Sequence, residues 1–259
     1  MTKRIKIGII PAAGAGTRLG YLSNLLPKTL FPIYDRPIMH HIINIMESLG
    51  VEDIYIIVNV HKDKIKEYCK NIKPDLKSRL HFLEQKELNG LANAILLIEK
   101  YTKRQPFLVI LGDECIITDS LKPMIDLFFE TKSIAAEAVI KEEDKDILRQ
   151  TCCANVDKDG RILEILEKPE NPPYMIRGCG IYLFRPEIFE FIRNTPANPV
   201  RKEKDITSVV NNIAKTKKAY SYFIRGYNIN INDYEELLKA NLLIKLNIRK
   251  KIRNKSNSK

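Results

Sequence analysis

Two glycines and two cations near the start of the chain carry its clearest chemistry. Ile7 to Ala12 is a short apolar run that breaks into Gly14, Gly16, Thr17 and Arg18, with Pro27-Lys28 following. Such a run reads as a buried parallel strand. A strand ending in small residues gathers backbone N–H groups at one point, and glycine lets a ligand approach them closely. Arg18 and Lys28 add the positive charge that a polyphosphate needs. A Walker loop is excluded because Gly16 is followed by Thr17-Arg18, and a dinucleotide fingerprint fails because its third glycine position is Leu19. The alternative, a strand–helix turn whose glycines serve geometry alone, leaves Arg18, Lys28 and Pro32 unexplained.

Leu111-Gly112-Asp113 places an acid just past a second apolar run, Pro106 to Leu111. An acid there can hold a divalent cation against phosphates, or simply cap a turn. Gln85 carries both a donor and an acceptor and so can read a pyrimidine edge. Gly90, at a helix start, would permit close approach of a base or sugar. On local sequence alone this stretch is a loop. Lys168 likewise reads locally as a surface lysine, its backbone fixed by Pro169.

The elements that must position these residues alternate. Apolar residues at helical spacing run from Pro37 to Leu49 and stop at Gly50. Strand patterns cover Asp53 to Val60, Leu80 to Glu84, Pro106 to Leu111 and Ile134 to Ile140. Helical patterns cover His61 to Ile72, Gly90 to Tyr101 and Leu121 to Glu130. Thr151 to Val156 and Arg161 to Leu166 form a hairpin around Asp157–Gly160, and Asp233 caps a helix over Tyr234 to Ile248. This is the rhythm of an α/β protein with a Rossmann-like, doubly wound mixed sheet, whose ligand lies at the carboxyl ends of the strands.

Composition narrows the function classes. A chain of 259 residues, 44% hydrophobic, can bury a full α/β core. It shows no transmembrane run and no signal peptide. Five cysteines without a CxxC pair indicate reduced thiols and a cytoplasmic enzyme rather than a disulfide framework. The net charge of +11 is concentrated at the end, where Lys245, Arg249, Lys250, Lys251, Arg253, Lys255 and Lys259 stand without an acid. Without them about +4 remains, and no basic–aromatic alternation accompanies the tail. A solvated tail is therefore expected, with no nucleic-acid or membrane partner.

Gly14-x-Gly16-Thr17-Arg18-Leu19 followed by Pro27-Lys28-x-Leu30-x-Pro32 resembles the opening motif of the sugar-1-phosphate nucleotidylyltransferases. Pro32-Ile-Tyr-Asp-Arg-Pro37 is most similar to the branch that transfers thymidylyl and uridylyl groups. The resemblance spans residues 5 to 240 and implies a fold of the nucleotide-diphospho-sugar transferase type. It divides the chain into a nucleotidylyltransferase domain over 1–240 and a helix end with basic tail over 241–259. It implies that Ala13, Gly14, Gly16 and Thr17 face the nucleotide and that Arg18 and Lys28 hold its phosphates. Gln85, Gly90 and Leu91 would meet the base, and Asp113 would hold Mg²⁺. Glu167 and Lys168 would hold the sugar and its phosphate, and Gly178 lies on the strand that lines the sugar pocket.

The sequence departs from this pattern at two sugar-side positions and one metal position. An aromatic–glycine pair before the hairpin turn is matched here by Cys153-Ala154, with Ala154 in the glycine's place. Arg201 to Thr207 resembles an Arg-Gly-Glu segment that has lost its glycine. The second metal aspartate is matched by Asn230, with Asn228 and Asn232 open as alternatives; an amide oxygen is a weaker but competent ligand. Glu114 is not expected to be a ligand.

The implied activity joins UTP or dTTP to a sugar-1-phosphate, releasing pyrophosphate. The alternatives are cytidylyl or guanylyl transfer, or a silent nucleotide-sugar-binding regulator. A homo-oligomer stays open. The chain ends before the appended β-helix of some relatives, so no acyl transfer is expected.

Overall fold

The computed structural model describes residues 3–14, 16, 19–199 and 201–256, with the side chains of the last helix followed to residue 248. Its strands in chain order are β1 (Ile7–Pro11), β2 (Pro32–Ile33), β3 (Arg36–Pro37), β4 (Asp53–Val58), β5 (Arg79–Glu84), β6 (Phe107–Ile110) and β7 (Glu114–Thr118). They continue as β8 (Ala135–Lys141), β9 (Cys152–Val156), β10 (Ile162–Glu167), β11 (Ile176–Phe184), β12 (Ala219–Phe223) and β13 (Gly226–Asn230). Seven of them form one sheet in the order β12-β8-β11-β6-β1-β4-β5.

Parallel pairing joins β1 to both β4 and β6, β4 to β5, and β8 to β12. β11 runs antiparallel to both of its neighbours, β6 and β8. This is the expected doubly wound mixed sheet. Between β4 and β6 the chain leaves β1 in opposite directions, which opens a crevice at the carboxyl end of β1.

The sheet is buried on both faces, so its central strands read as unbroken apolar runs rather than alternating ones. Period two nevertheless sorts their side chains. Ile9, Val109, Tyr182 and Phe184 pack on one face, and Ile10, Leu108, Ile110 and Leu183 on the other. Helix Ile38–Ser48 covers the second face with Ile38, Met39, Ile42, Ile43 and Met46 buried, and Gly50, at φ 81°, ends it.

The structure differs from expectation in two places. The helix expected from Gly90 to Tyr101 is α-helical only over Leu91–Leu96 and ends in a 3₁₀ turn at Glu99–Tyr101. A two-stranded ribbon, β7 with β13, stands apart from the main sheet. The final helix runs over Tyr234–Ser256 and buries Ala240 and Ile244 in the core. Among the described residues no helix is long and apolar enough to cross a membrane. All five cysteines are free and buried.

Candidate active site

One cavity of about 610 Å³ opens at the carboxyl ends of β1 and β6 and against the first half of the antiparallel β11, at the crevice predicted from the strand order. Ala13, Gly14 and Gly16 lie on its wall after β1, and Gly16 takes φ 64°, a conformation that favours glycine. Thr17 and Arg18 fall outside the described residues.

Lys28 opens a 3₁₀ turn, Lys28–Leu30, that follows Pro27. Its Nζ lies 2.7 Å from Asp113 Oδ2 and 3.4 Å from Asn232 Oδ1. The pair is sheltered, with the Lys28 side chain only 13% exposed. Asp113 follows β6, and its carbonyl accepts the N–H of Ile231 at 2.9 Å, which ties the β6 end to the segment after β13. Phosphate-binding and metal-binding candidates, 85 positions apart in sequence, are thus in direct contact.

The three asparagines sort by the period of β13. Asn228 and Asn230 share one face, while Ile229 and Ile231 enter the core. Asn230 and Asn232 line the cavity. Asn228 lies behind it, donating to Glu114 Oε2 at 2.8 Å and accepting from Arg177 Nη1 at 2.8 Å. Glu114 also accepts from Asn230 Nδ2 at 2.7 Å. Burial pushes the Glu114 carboxyl up to about 7, with the neighbouring Asp113 charge adding to it and Arg177 and the two amides opposing.

Gln85, expected to meet the base, is buried and donates from Nε2 to the Gly90 carbonyl at 3.2 Å. Gln85, Gly90 and Leu91 all line the cavity. The reason for glycine at 90 differs from the one expected. At φ 109°, a Cβ there would collide with the backbone of Lys204, so the close approach is that of the protein's own chain.

The side of the cavity expected to take the acceptor is built by the hairpin and the segment behind it. Lys168 takes φ 47°, unusual for a side-chain-bearing residue and more so before a proline, and its N–H bonds the Thr151 carbonyl at 2.7 Å. Strained backbone of this kind costs about 1–3 kcal/mol and persists where surrounding contacts fix it. Glu167 is held through both oxygens, by Thr207 Oγ1 at 2.7 Å and Arg201 Nη1 at 3.3 Å. Arg201 also faces Asp205 at 3.6 Å. Arg201 and Thr207, whose segment resembled a known motif only loosely, are the site residues that local sequence did not reveal. Their signal is the Arg201/Asp205 spacing on a turn that precedes a capped helix.

Gly178 and Gly180 of β11 line the cavity, and each makes room for a buried acid beneath. A Cβ on Gly178 would strike Glu137, and one on Gly180 would strike Glu114. Ala154 does not line the cavity. Two residues further along β9 than Cys152, it lies about 7 Å deeper and is fully buried among apolar neighbours. Thr151 and Cys152 occupy the wall where Cys153-Ala154 was expected.

Hard oxygen donors from Asp113 and Asn230, beside the Lys28 ammonium, fit Mg²⁺, which completes its shell with phosphate and water. Among the described residues no group of three or more His, Cys, Asp or Glu gathers to hold a metal ion, here or elsewhere.

A family model described as nucleotidyl transferase matches residues 7–245. The chain belongs to that family. Within it the nucleotidyltransferase is 34% identical over 241 residues to the bifunctional protein GlmU of Methanocaldococcus jannaschii, covering 92% of this chain and 55% of that protein. It is 27% identical to a UTP–glucose-1-phosphate uridylyltransferase of Staphylococcus epidermidis, covering 89% of each. A crystal structure of a UDP-glucose pyrophosphorylase complexed with UDP-glucose superposes with a TM-score of 0.82 at 27% identity, over 92% of this chain and 97% of that one. The resemblance to sugar-1-phosphate nucleotidylyltransferases stated from the opening motif is borne out.

Proposed function

We propose that this nucleotidyltransferase makes an NDP-sugar and pyrophosphate from UTP or dTTP and a sugar-1-phosphate. The observation that carries the reading is the single cavity holding Lys28, Asp113 and Asn230 at one end and Glu167, Lys168 and Gly178 at the other. A nucleoside triphosphate and a sugar phosphate need those two ends to meet at one phosphorus. The uridylyltransferase relative and the UDP-glucose complex support the same substrate class.

A phosphate oxygen of the sugar-1-phosphate attacks the α-phosphorus of the triphosphate in line. The bond to the bridging oxygen breaks and pyrophosphate leaves with the electron pair. The nucleophile is already an anion, so no general base is required, and catalysis rests on positioning and charge. Lys28 exchanges its Asp113 partner for the triphosphate, and Arg18 assists it. Lys168, held in its strained backbone by Thr151, carries the sugar phosphate, and Glu167, clamped by Arg201 and Thr207, accepts sugar hydroxyls. Gln85, oriented by the Gly90 carbonyl, meets the pyrimidine. Asp113 and Asn230 would hold Mg²⁺, which supplies charge neutralisation at the phosphates.

Pyrophosphate release, assayed with Mg²⁺ across UTP, dTTP, CTP, GTP and ATP and a panel of sugar-1-phosphates, tests the reading. Release with UTP or dTTP is expected. Release with CTP or GTP alone would remove the base assignment. Nucleotide binding without release under any pairing would instead favour a silent regulator.

A further inference from the structure

Glu114 follows the metal-binding candidate Asp113 and lies against the cavity wall, yet it is only 3% exposed. Antiparallel pairing sets it directly opposite Asn230. Gly180, at φ 63°, leaves the space its side chain fills. Its two oxygens are divided between two amides, Asn230 Nδ2 at 2.7 Å and Asn228 Nδ2 at 2.8 Å. Behind Asn228, Arg177 holds both its side-chain and main-chain oxygens, at 2.8 and 2.9 Å, and leans on Glu142 at 3.4 Å. In front of Asn230, Asn232 Nδ2 donates to Asn230 Oδ1 at 2.5 Å, and Asn232 Oδ1 accepts from Lys28. One chain of polar contacts therefore runs from Glu142 to the Lys28–Asp113 pair.

An asparagine has two ends of similar shape, and only its oxygen can bind a cation. A carboxylate accepts and never donates, so it fixes which end faces it. We propose that Glu114 is the positioning residue of the metal site. By accepting Asn230 Nδ2 it presents Asn230 Oδ1 to the Lys28–Asp113 side of the cavity. Arg177 and Asn228 hold Glu114 in register for this task. The inference rests on the proposed binding of a divalent cation by Asp113 and Asn230.

The test is Mn²⁺ titration of the full chain, read by water-proton relaxation enhancement. It is run with the triphosphate that supports pyrophosphate release and no sugar phosphate, so that no turnover occurs. Asp113→Asn, which leaves only a weaker amide ligand, should weaken the enzyme-bound complex tenfold or more. Glu114→Gln, whose amide can accept from only one of the two asparagines, should weaken Mn²⁺ binding tenfold or more. Asn230→Asp offers an oxygen at either end, so the double variant E114Q/N230D should return affinity to within threefold of wild type. A purely structural role for Glu114 predicts no such rescue. Unchanged affinity in E114Q, or a double variant no better than E114Q, overturns the inference. No bound Mn²⁺ in the wild type, or unchanged binding in D113N, overturns the metal site itself and the inference with it. Should E114Q not fold, E114D, which withdraws the carboxylate by one methylene, should weaken binding at least threefold, and unchanged affinity there overturns the inference equally.

Discussion

Lys28 and Asp113 are each other's partner in this structure, 2.7 Å apart, and the proposed reaction asks both to bind something else. A half-sheltered ion pair of this kind keeps a flexible lysine in place before a triphosphate arrives, and positioning of that sort is worth much of a phosphoryl-transfer barrier. Lys28→Ala should therefore lower kcat at least a hundredfold while circular dichroism and melting stay near wild type; near-normal turnover would remove Lys28 from its role. Arg201 acts one step back, through Glu167. Arg201→Ala should raise KM for the sugar-1-phosphate several-fold and leave KM for the triphosphate unchanged, which steady-state kinetics with each substrate varied would show. The opening-loop residues and Asp113 were legible because each stands at the end of an apolar run, where strand order puts ligands. Lys168 was not legible on its own. Its aim comes from a left-handed backbone fixed by Thr151, a contact across the hairpin that neighbouring letters do not encode.

At the scale of elements, the site is assembled from short segments that only long-range pairing brings together. β13 reads Gly-Tyr-Asn-Ile-Asn, an alternation that fits a strand, but nothing local says that it pairs with β7 and sets Asn230 against Glu114. The helix after Gly90 is likewise tied into the fold from a distance, its first turn packed against the 204 segment, with the Ala92 N–H donating to the Lys204 carbonyl. Gly90 therefore carries a structural prediction. With φ 109° and the Lys204 backbone against its Cα, Gly90→Ala should cost about 2–4 kcal/mol. A denaturant midpoint unchanged from wild type would show that the 204 segment moves freely. Helices that bury a full stripe, such as Ile38–Ser48, were legible because their spacing is set by the core they face.

At the scale of the whole molecule, two apolar cores sandwich the sheet, and one carboxyl interrupts the face beneath Gly178. Glu137 is wholly buried, and neither oxygen finds a hydrogen bond of ordinary geometry. Burial pushes it up to about 8; the Glu167 charge adds to this, and the nearby Tyr182 hydroxyl opposes it. The folded protein thus keeps a proton that the unfolded chain releases. The stability that this proton contributes is full below about pH 4.5 and is lost as pH rises toward about 8. Glu137→Gln should flatten that decline, raising stability by roughly 1–3 kcal/mol at pH 8 to 9 and leaving it nearly unchanged at pH 5. Melting curves across that range check it, and parallel profiles for both proteins would contradict it.

The central claim is that one cavity joins a nucleoside triphosphate to a sugar-1-phosphate. The most direct measurement is Mg²⁺-dependent pyrophosphate release from UTP and dTTP with glucose-1-phosphate, scored alongside formation of the nucleotide sugar. The account predicts equimolar pyrophosphate and NDP-sugar, both lost in Lys28→Ala. Folded protein that binds nucleotide yet forms neither product with any sugar-1-phosphate would contradict it.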